Sequence, residues 1–403
     1  MLTLVQAMLQ QGRKVDLVLH KAKGAYMGEI PEDASLVVLE ETGGLRARWR
    51  AAAVNLRHFF TLLRPVLLPS KIAPEIARLR SLRRYVEQHR PDVILSAMPY
   101  NNIVAIWAKQ TSRCPVPVVI SERITQSTYC AAADNHRKWR WRYLPALLRR
   151  IYPGADAVVT VSRQVADDLS DQIGLVHPRI VTVYNPVVDD TLRSKAAQAL
   201  DHRWFARHRE PDQATRSDGV PVILGVGRLT EQKDFATLLR AFARVRARRE
   251  AHLVILGEGR LRQDLTALAR ELGIDADVEM PGFVENPLQY MARSSLLVLS
   301  SEYEGLPGVL IQAMACGCPV ISTRCPGGSA EILADGKYGE LVAVGDAEAM
   351  AEAIFRALAT PIASEVLLHR AEDFSVDHAL GNYLEILDDI VARSGVVNGS
   401  ANR

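Results

Sequence analysis

The chain has 403 residues, of which 48% are hydrophobic and 24% charged, and its formal net charge is +3. This composition excludes a disordered, collagen-like or disulfide-stapled chain and leaves room for two or three globular domains. No apolar run approaches the roughly 20 residues that span a bilayer, the opening residues carry no secretory signal pattern, and five cysteines without disulfide-rich spacing fit a reduced, cytoplasmic protein.

The small net charge hides an asymmetry. Positions 46 to 150 hold 20 basic and 5 acidic residues, a positive field suited to an anionic partner. Solvated helix faces rich in arginine give the same pattern.

In chain order, residues 1–11 are predicted as a helix closed by Gly12, and 15–19 as a strand. A doubly wound domain ordinarily opens with a strand and a glycine-rich loop, and losing a central strand leaves an unpaired edge. The expectation is that the sequence as given starts inside the first helix, with the first strand missing. Strands follow at 36–39, 91–96, 117–121, 156–162 and 180–186, with helices at 45–65, 70–90 and 102–110 between them. This alternation predicts a parallel sheet with helices on both faces.

Glu122 and Arg123 stand at the carboxyl end of a strand, where they face either an acceptor or one another's neighbours in a surface salt bridge. Further on, Arg137, Lys138, Trp139, Arg140, Trp141 and Arg142 alternate base with aromatic ring and lead into Leu144, Leu147 and Leu148. That mixture suits an anionic membrane surface, or a core helix with an arginine face. No stacking motif points to nucleic acid.

Residues 190–219 are polar, charged and interrupted by Pro and Gly. The predicted division is a first domain over 1–190, a linker over 191–219, a second domain over 220–370, and a closing segment over 371–403. The closing segment contains a helix at 377–392 with Leu380, Tyr383, Leu384, Ile386 and Leu387 inward.

The second half repeats the strand–helix alternation. After the strand 222–227, Gly227 permits close backbone approach, and Arg228 and Lys233 can reach one anion from the two ends of a turn. Asp234 is placed to cap the next helix. Asp275-Ala276-Asp277 has metal-ligand spacing but sits between a helix and a strand, so a turn is expected and no metal site. Gly282 and Phe283 close the next strand. The pattern then centres on 296–323: an apolar strand, a turn carrying Glu302 and Glu304, Pro307, a helix from Gly308 ending at Gly317, and a further strand. A helix N-terminus at the carboxyl edge of a parallel sheet favours phosphate.

The run Glu304-Gly305-Leu306-Pro307-Gly308-Val309-Leu310-Ile311-Gln312-Ala313-Met314-Ala315-Cys316-Gly317-Cys318-Pro319-Val320 resembles the signature of glycosyltransferase family 4, retaining sugar transferases of the GT-B fold. The match departs at the second glutamate of that signature, which is Gln312 here. Gly227-Arg228-Leu229 followed by Lys233 resembles the family's diphosphate clamp, and Gly282-Phe283 a loop beside the nucleotide base. The resemblance implies two Rossmann-like parallel-sheet domains facing a cleft, with the terminal helix crossing back to the first. It also implies a UDP- or GDP-sugar donor, a glycan or lipid-linked acceptor, retention of configuration, and no cofactor or metal.

On that resemblance Arg228, Lys233 and the N–H groups of Leu306, Gly308 and Val309 hold the leaving diphosphate. Glu304 meets the sugar, Gly305 belongs to the same donor-binding set, and Gln312 meets the ribose. The expected location is the cytoplasm, peripheral on the inner face of the plasma membrane. Two other readings share the fold: a non-catalytic or weakly active nucleotide-sugar binder, and a nucleotide-sugar epimerase.

Overall fold

The computed structural model describes residues 1–23, 25–54, 59–69, 72–114, 116–205 and 219–395. The chain divides into two units. One is Met1–Tyr184 together with the helix Val376–Arg393, and the other is Asn185–Ser375.

In the first unit all strands pair in parallel. Strands β1 (Asp16–Leu19) and β2 (Ser35–Val38) form a two-stranded piece. Strands β3 (Ile94–Ala97), β4 (Val118–Glu122), β5 (Ala157–Thr160) and β6 (Ile180–Thr182) form a four-stranded sheet in that order. The single sheet expected from the sequence is thus in two pieces, since β1 and β3 share no ladder. β4 and β5 are buried along their whole length, as Val- and Ile-rich parallel strands covered on both faces must be. β1 and β3 are only half-buried. The chain enters through the helix Leu2–Gln10, whose Leu4, Ala7 and Met8 share a core with Val119, Ala157 and Val159.

The helix Val376–Arg393 joins that same core. Leu380, Tyr383, Ile386, Leu387 and Ile390 recur at helical spacing on one face and are buried, with Leu384 half-buried beside them. Arg13 reaches Asp388 at 2.7 Å and Arg179 reaches Asp389 at 2.5 Å.

The second unit is a six-stranded parallel sheet. Its strands are β7 (Val222–Val226), β8 (His252–Leu256), β9 (Val278–Gly282), β10 (Leu296–Leu299), β11 (Val320–Thr323) and β12 (Glu340–Val342), in the order β12-β11-β10-β7-β8-β9. The order reverses between β7 and β10. In doubly wound sheets the loops leaving the strands at that point bound the ligand crevice.

The expected linker needs correction. Residues 191–205 belong to the second unit, and 206–218 lie outside the described residues. The helix Thr191–Ala196 is tied down where Asn286 donates to the Lys195 carbonyl at 2.8 Å and Arg293 donates to the Ala196 carbonyl at 3.1 Å. His202, Trp204 and Phe205 then form an aromatic cluster with Tyr290 and His252. At its far boundary the unit includes the helix Ser364–Glu372, and Val187 and Val188 both donate to the Phe374 carbonyl. Among the described residues no helix is long and apolar enough to cross a membrane.

Candidate active site

The switch between β7 and β10 brings together two loops 71 residues apart in sequence. Leaving β7, the chain runs through Gly227 and the exposed Arg228 into the turn Glu231–Lys233. Asp234 follows with φ +40°, and its carboxylate accepts from the Thr237 N–H at 3.2 Å, capping the helix Phe235–Arg246. Leaving β10, the chain turns through Ser300 to Pro307 and enters the helix Gly308–Ala315. Pro307 is the cap of that helix, and Gly317 follows its end at φ +69°.

Lys233 and Glu304 meet where these loops cross. Lys233 Nζ lies 2.5 Å from Glu304 Oε1, with side chains only 15% and 9% exposed. Ser301 donates its hydroxyl to the same oxygen at 2.7 Å. The frame around the pair is hydrogen-bonded throughout. Ser300 donates to the Lys233 carbonyl at 2.7 Å, Gln232 to the Tyr303 carbonyl at 3.0 Å, and Thr323 to the Ser301 carbonyl at 2.6 Å. The Glu304 N–H donates to the Pro326 carbonyl at 2.8 Å. The sequence reading treated Lys233 and Glu304 as separate contacts and missed Ser301, although Ser-x-x-Glu is a spacing known to bond locally.

The carboxyl ends of β7, β8 and β9 are knitted to one another. Gly227 donates to the Leu256 carbonyl at 2.9 Å, Gly257 to the Gly282 carbonyl at 2.8 Å, and Leu229 to the Glu258 carbonyl at 3.0 Å. Gly257 has φ +138°, and a Cβ there would stand 1.9 Å from the Gly227 carbonyl oxygen, so only glycine fits. Phe283 emerges from this edge 73% exposed, which sets aside a packing role for its ring. On the other side of the switch Gly305 and Leu306 are buried, while Gly308, Val309 and Gln312 are partly exposed.

Other expected sites are resolved differently. Glu122 is fully buried inside the first unit, which corrects its assignment to an acceptor-facing surface. It accepts from Gln126 at 2.6 Å, from Asn102 at 2.9 Å and from the Tyr152 hydroxyl. Burial outweighs these three bonds and pushes its carboxyl up to about 7. Arg123, next in sequence, is partly exposed.

The stretch 133–150 is three short helices rather than one. Trp141 packs edge-on between Tyr100 and Tyr129 as a core anchor, whereas Trp139 stays 48% exposed beside exposed Arg137, Lys138 and Arg142. Asp277 is engaged by Arg246 at 2.7 Å, and the thiols of Cys316 and Cys318 face backbone carbonyls.

Two outcomes follow from this geometry. Lys233→Met strands the Glu304 carboxylate and should cost about 3 kcal/mol in urea unfolding. Adding Glu304→Gln should recover most of that loss, and a double variant no more stable than the single one would reject the pair. For Glu122, an acid whose pKa rises on folding holds its proton better in the folded state. Its contribution is complete below the ordinary 4.5 and is lost as pH climbs through about 7. Glu122→Gln should therefore stabilise the protein at pH ~8.5 but not at pH ~4.5; equal effects at both would show that folding does not raise the Glu122 carboxyl.

Residues 220–360 match the family of glycosyl transferases group 1, and residues 1–186 match the glycosyl transferase 4-like domain. An N-acetylgalactosamine-N,N'-diacetylbacillosaminyl-diphospho-undecaprenol 4-alpha-N-acetylgalactosaminyltransferase of Campylobacter jejuni is 32% identical over 251 residues, 62% of this chain and 62% of that protein. A lipopolysaccharide core biosynthesis glycosyltransferase of Rhizobium meliloti, LpsE, is 34% identical over 172 residues, 41% of this chain and 49% of that protein. The matches thus span less than two thirds of either relative's length. Anabaena HepE, solved in complex with UDP and glucose, superposes with a TM-score of 0.72 over 96% of this chain and 95% of its own at 18% identity, a likeness that shows the GT-B fold. With one family model on each unit, the chain belongs to the group 1 glycosyltransferases, which the sequence resemblance names as family 4.

Proposed function

We propose that the chain is a retaining glycosyltransferase that moves a sugar from a nucleotide diphosphate sugar to a lipid-linked or cell-surface glycan. One observation carries the reading: the Lys233–Glu304 pair joins, at the strand-order switch, the loop that carries the exposed Arg228 and the loop that leads into the helix Gly308–Ala315. Cation, helix N-terminus and positioned carboxylate are the groups a departing diphosphate and a sugar ring require.

In this reading the bond between the anomeric carbon and the diphosphate oxygen breaks, and the diphosphate leaves with the electron pair. Arg228 and Lys233 meet the developing charge. Lys233 has three N–H donors, so one can stay on Glu304 Oε1 while another takes a phosphate oxygen. Glu304 is held by Lys233 and Ser301 through Oε1, which leaves Oε2 to orient sugar hydroxyls. The acceptor hydroxyl oxygen bonds the anomeric carbon on the face the diphosphate leaves, and its proton passes to the departing phosphate. Phe283 offers its exposed ring to the base. Gln312 takes the ribose hydroxyls through neutral hydrogen bonds.

The Campylobacter relative is named for a diphospho-undecaprenol acceptor and the Rhizobium one for lipopolysaccharide core, which supports an envelope glycan as acceptor. HepE was solved with UDP, which supports a uridine donor. Arg123 and the exposed Arg137, Lys138, Trp139 and Arg142, with the half-buried Arg140, supply the acceptor side and an anionic membrane contact from the cytoplasmic face.

Thermal-shift screening against UDP- and GDP-sugars should find one that stabilises the protein. Arg228→Ala should then cut turnover by about tenfold or more. Gln312→Glu should tighten donor binding by about tenfold, as a charge-assisted bond replaces a neutral one; an unchanged affinity would place Gln312 away from the ribose. Binding without transfer or donor hydrolysis would leave a non-catalytic binder, and an epimerised donor as sole product would leave an epimerase. No stabilisation by any nucleotide sugar would reject the proposal.

A further inference from the structure

We propose that Arg46, Arg50, Arg80 and Arg83, in the first unit, form a binding site for a phosphate or diphosphate group. The site is separate from the nucleotide-sugar loops and does not rest on their assignment. Arg46 and Arg50 are one turn apart on the helix Gly44–Val54, and Arg80 and Arg83 one turn apart on the helix Leu79–His89. The first helix packs against the turn Ile76–Arg78 that leads into the second, with Thr42 donating to the Ala77 carbonyl at 2.9 Å. The start of the second helix, which carries Arg80, is thereby brought up to the helix that carries Arg46 and Arg50.

Among the described residues only Arg83 of the four has a carboxylate within 4.0 Å, and Glu87 is at the long distance of 3.6 Å. Arg50 is partly buried, and its Nη1 is a buried donor with no partner among the described residues. Burial, then Arg80, Arg83 and Arg46 in turn, pull its guanidinium below the ordinary value, the signature of like charges in mutual reach. The sequence has no acidic residue between Thr42 and Glu75 that could intervene. Neighbouring arginines are treated otherwise: Arg84 has Glu40 at 2.7 Å and Arg78 has Glu41 at 3.0 Å. A buried donor without an acceptor and three guanidinium groups without a carboxylate, with Arg83 beside them, are satisfied together by a compact polyanion, and guanidinium geometry matches phosphate oxygens. Leu45 and Trp49, about three-quarters exposed on the same helix, give the site an apolar rim.

The test uses the full chain and hydrogen exchange, which localises the effect. Inorganic pyrophosphate should slow exchange in 44–54 and 79–89, and Arg80→Gln should weaken pyrophosphate binding at that location by about tenfold, with Arg80→Lys intermediate. In a second arm, phosphatidylglycerol vesicles are compared with phosphatidylcholine vesicles. Protection by phosphatidylglycerol vesicles alone would assign the site to a lipid-borne phosphate, and protection by pyrophosphate to a free or glycan-linked one. In low-salt, phosphate-free buffer Arg80→Gln should raise the melting temperature, because it relieves repulsion. Absence of protection by either probe, or a lower melting temperature of the variant in that buffer, would overturn the proposal.

Discussion

The second unit is organised around one ion pair. A carboxylate as enclosed as that of Glu304 is costly unless its charge is met, and the cation that meets it arrives from a loop 71 residues earlier. Only the reversal of strand order between β7 and β10 makes the two loops neighbours. Once they are, the pair and the backbone support each other. The Lys233 carbonyl is held by Ser300, the Ser301 carbonyl by Thr323, and Ser301 itself by Glu304. Electrostatics and hydrogen bonding thus fix the positions of the groups from which any chemistry at this edge has to be built.

The fit is steric as well as electrostatic. The aliphatic stem of Lys233 lies across Gly227, 3.2 Å from where a Cβ would stand. Behind Glu304, Gly327 has φ +124°, and a Cβ there would come within 2.4 Å of the Glu304 carbonyl oxygen. A side chain at Gly327 would displace Glu304, and one at Gly227 would press on the Lys233 stem. The precision of the site therefore resides partly in residues that carry no functional group.

What was legible in the sequence was local. Apolar runs bounded by turns located β7, β9, β10 and β11, Asp234 announced its helix, and Pro307 and Gly317 bracketed the helix between them because each acts on its own backbone. What was not legible needed long-range contact. The polar stretch after position 190 has the composition of a linker, yet His202, Trp204 and Phe205 find aromatic partners about 85 residues onward in Tyr290, or in His252. Glu122 occupies a strand end, where exposure is the usual expectation, but Asn102, Gln126 and Tyr152 close over it. The basic–aromatic run is divided by the fold, with Trp141 packed inward and Trp139 outward, a split that composition alone does not reveal.

Arginine in the first unit is where sequence and structure together say more than either alone. Counting charges showed a surplus and could not say whether it was dispersed. In the fold, some arginines are matched by a carboxylate on an adjacent element and others, on the same helices, are set against one another. The difference is positional: Glu40 and Glu41 precede the acid-free stretch and reach Arg84 and Arg78, but no acid within that stretch is available to Arg46 or Arg50. Mobile ions screen such exposed clusters effectively, while an enclosed pair like Lys233–Glu304 is screened much less. Ionic strength should therefore act on the first unit's arginine faces and leave the second unit's central pair largely untouched. That contrast separates a surface built to exchange anions with its surroundings from one whose charges are already committed.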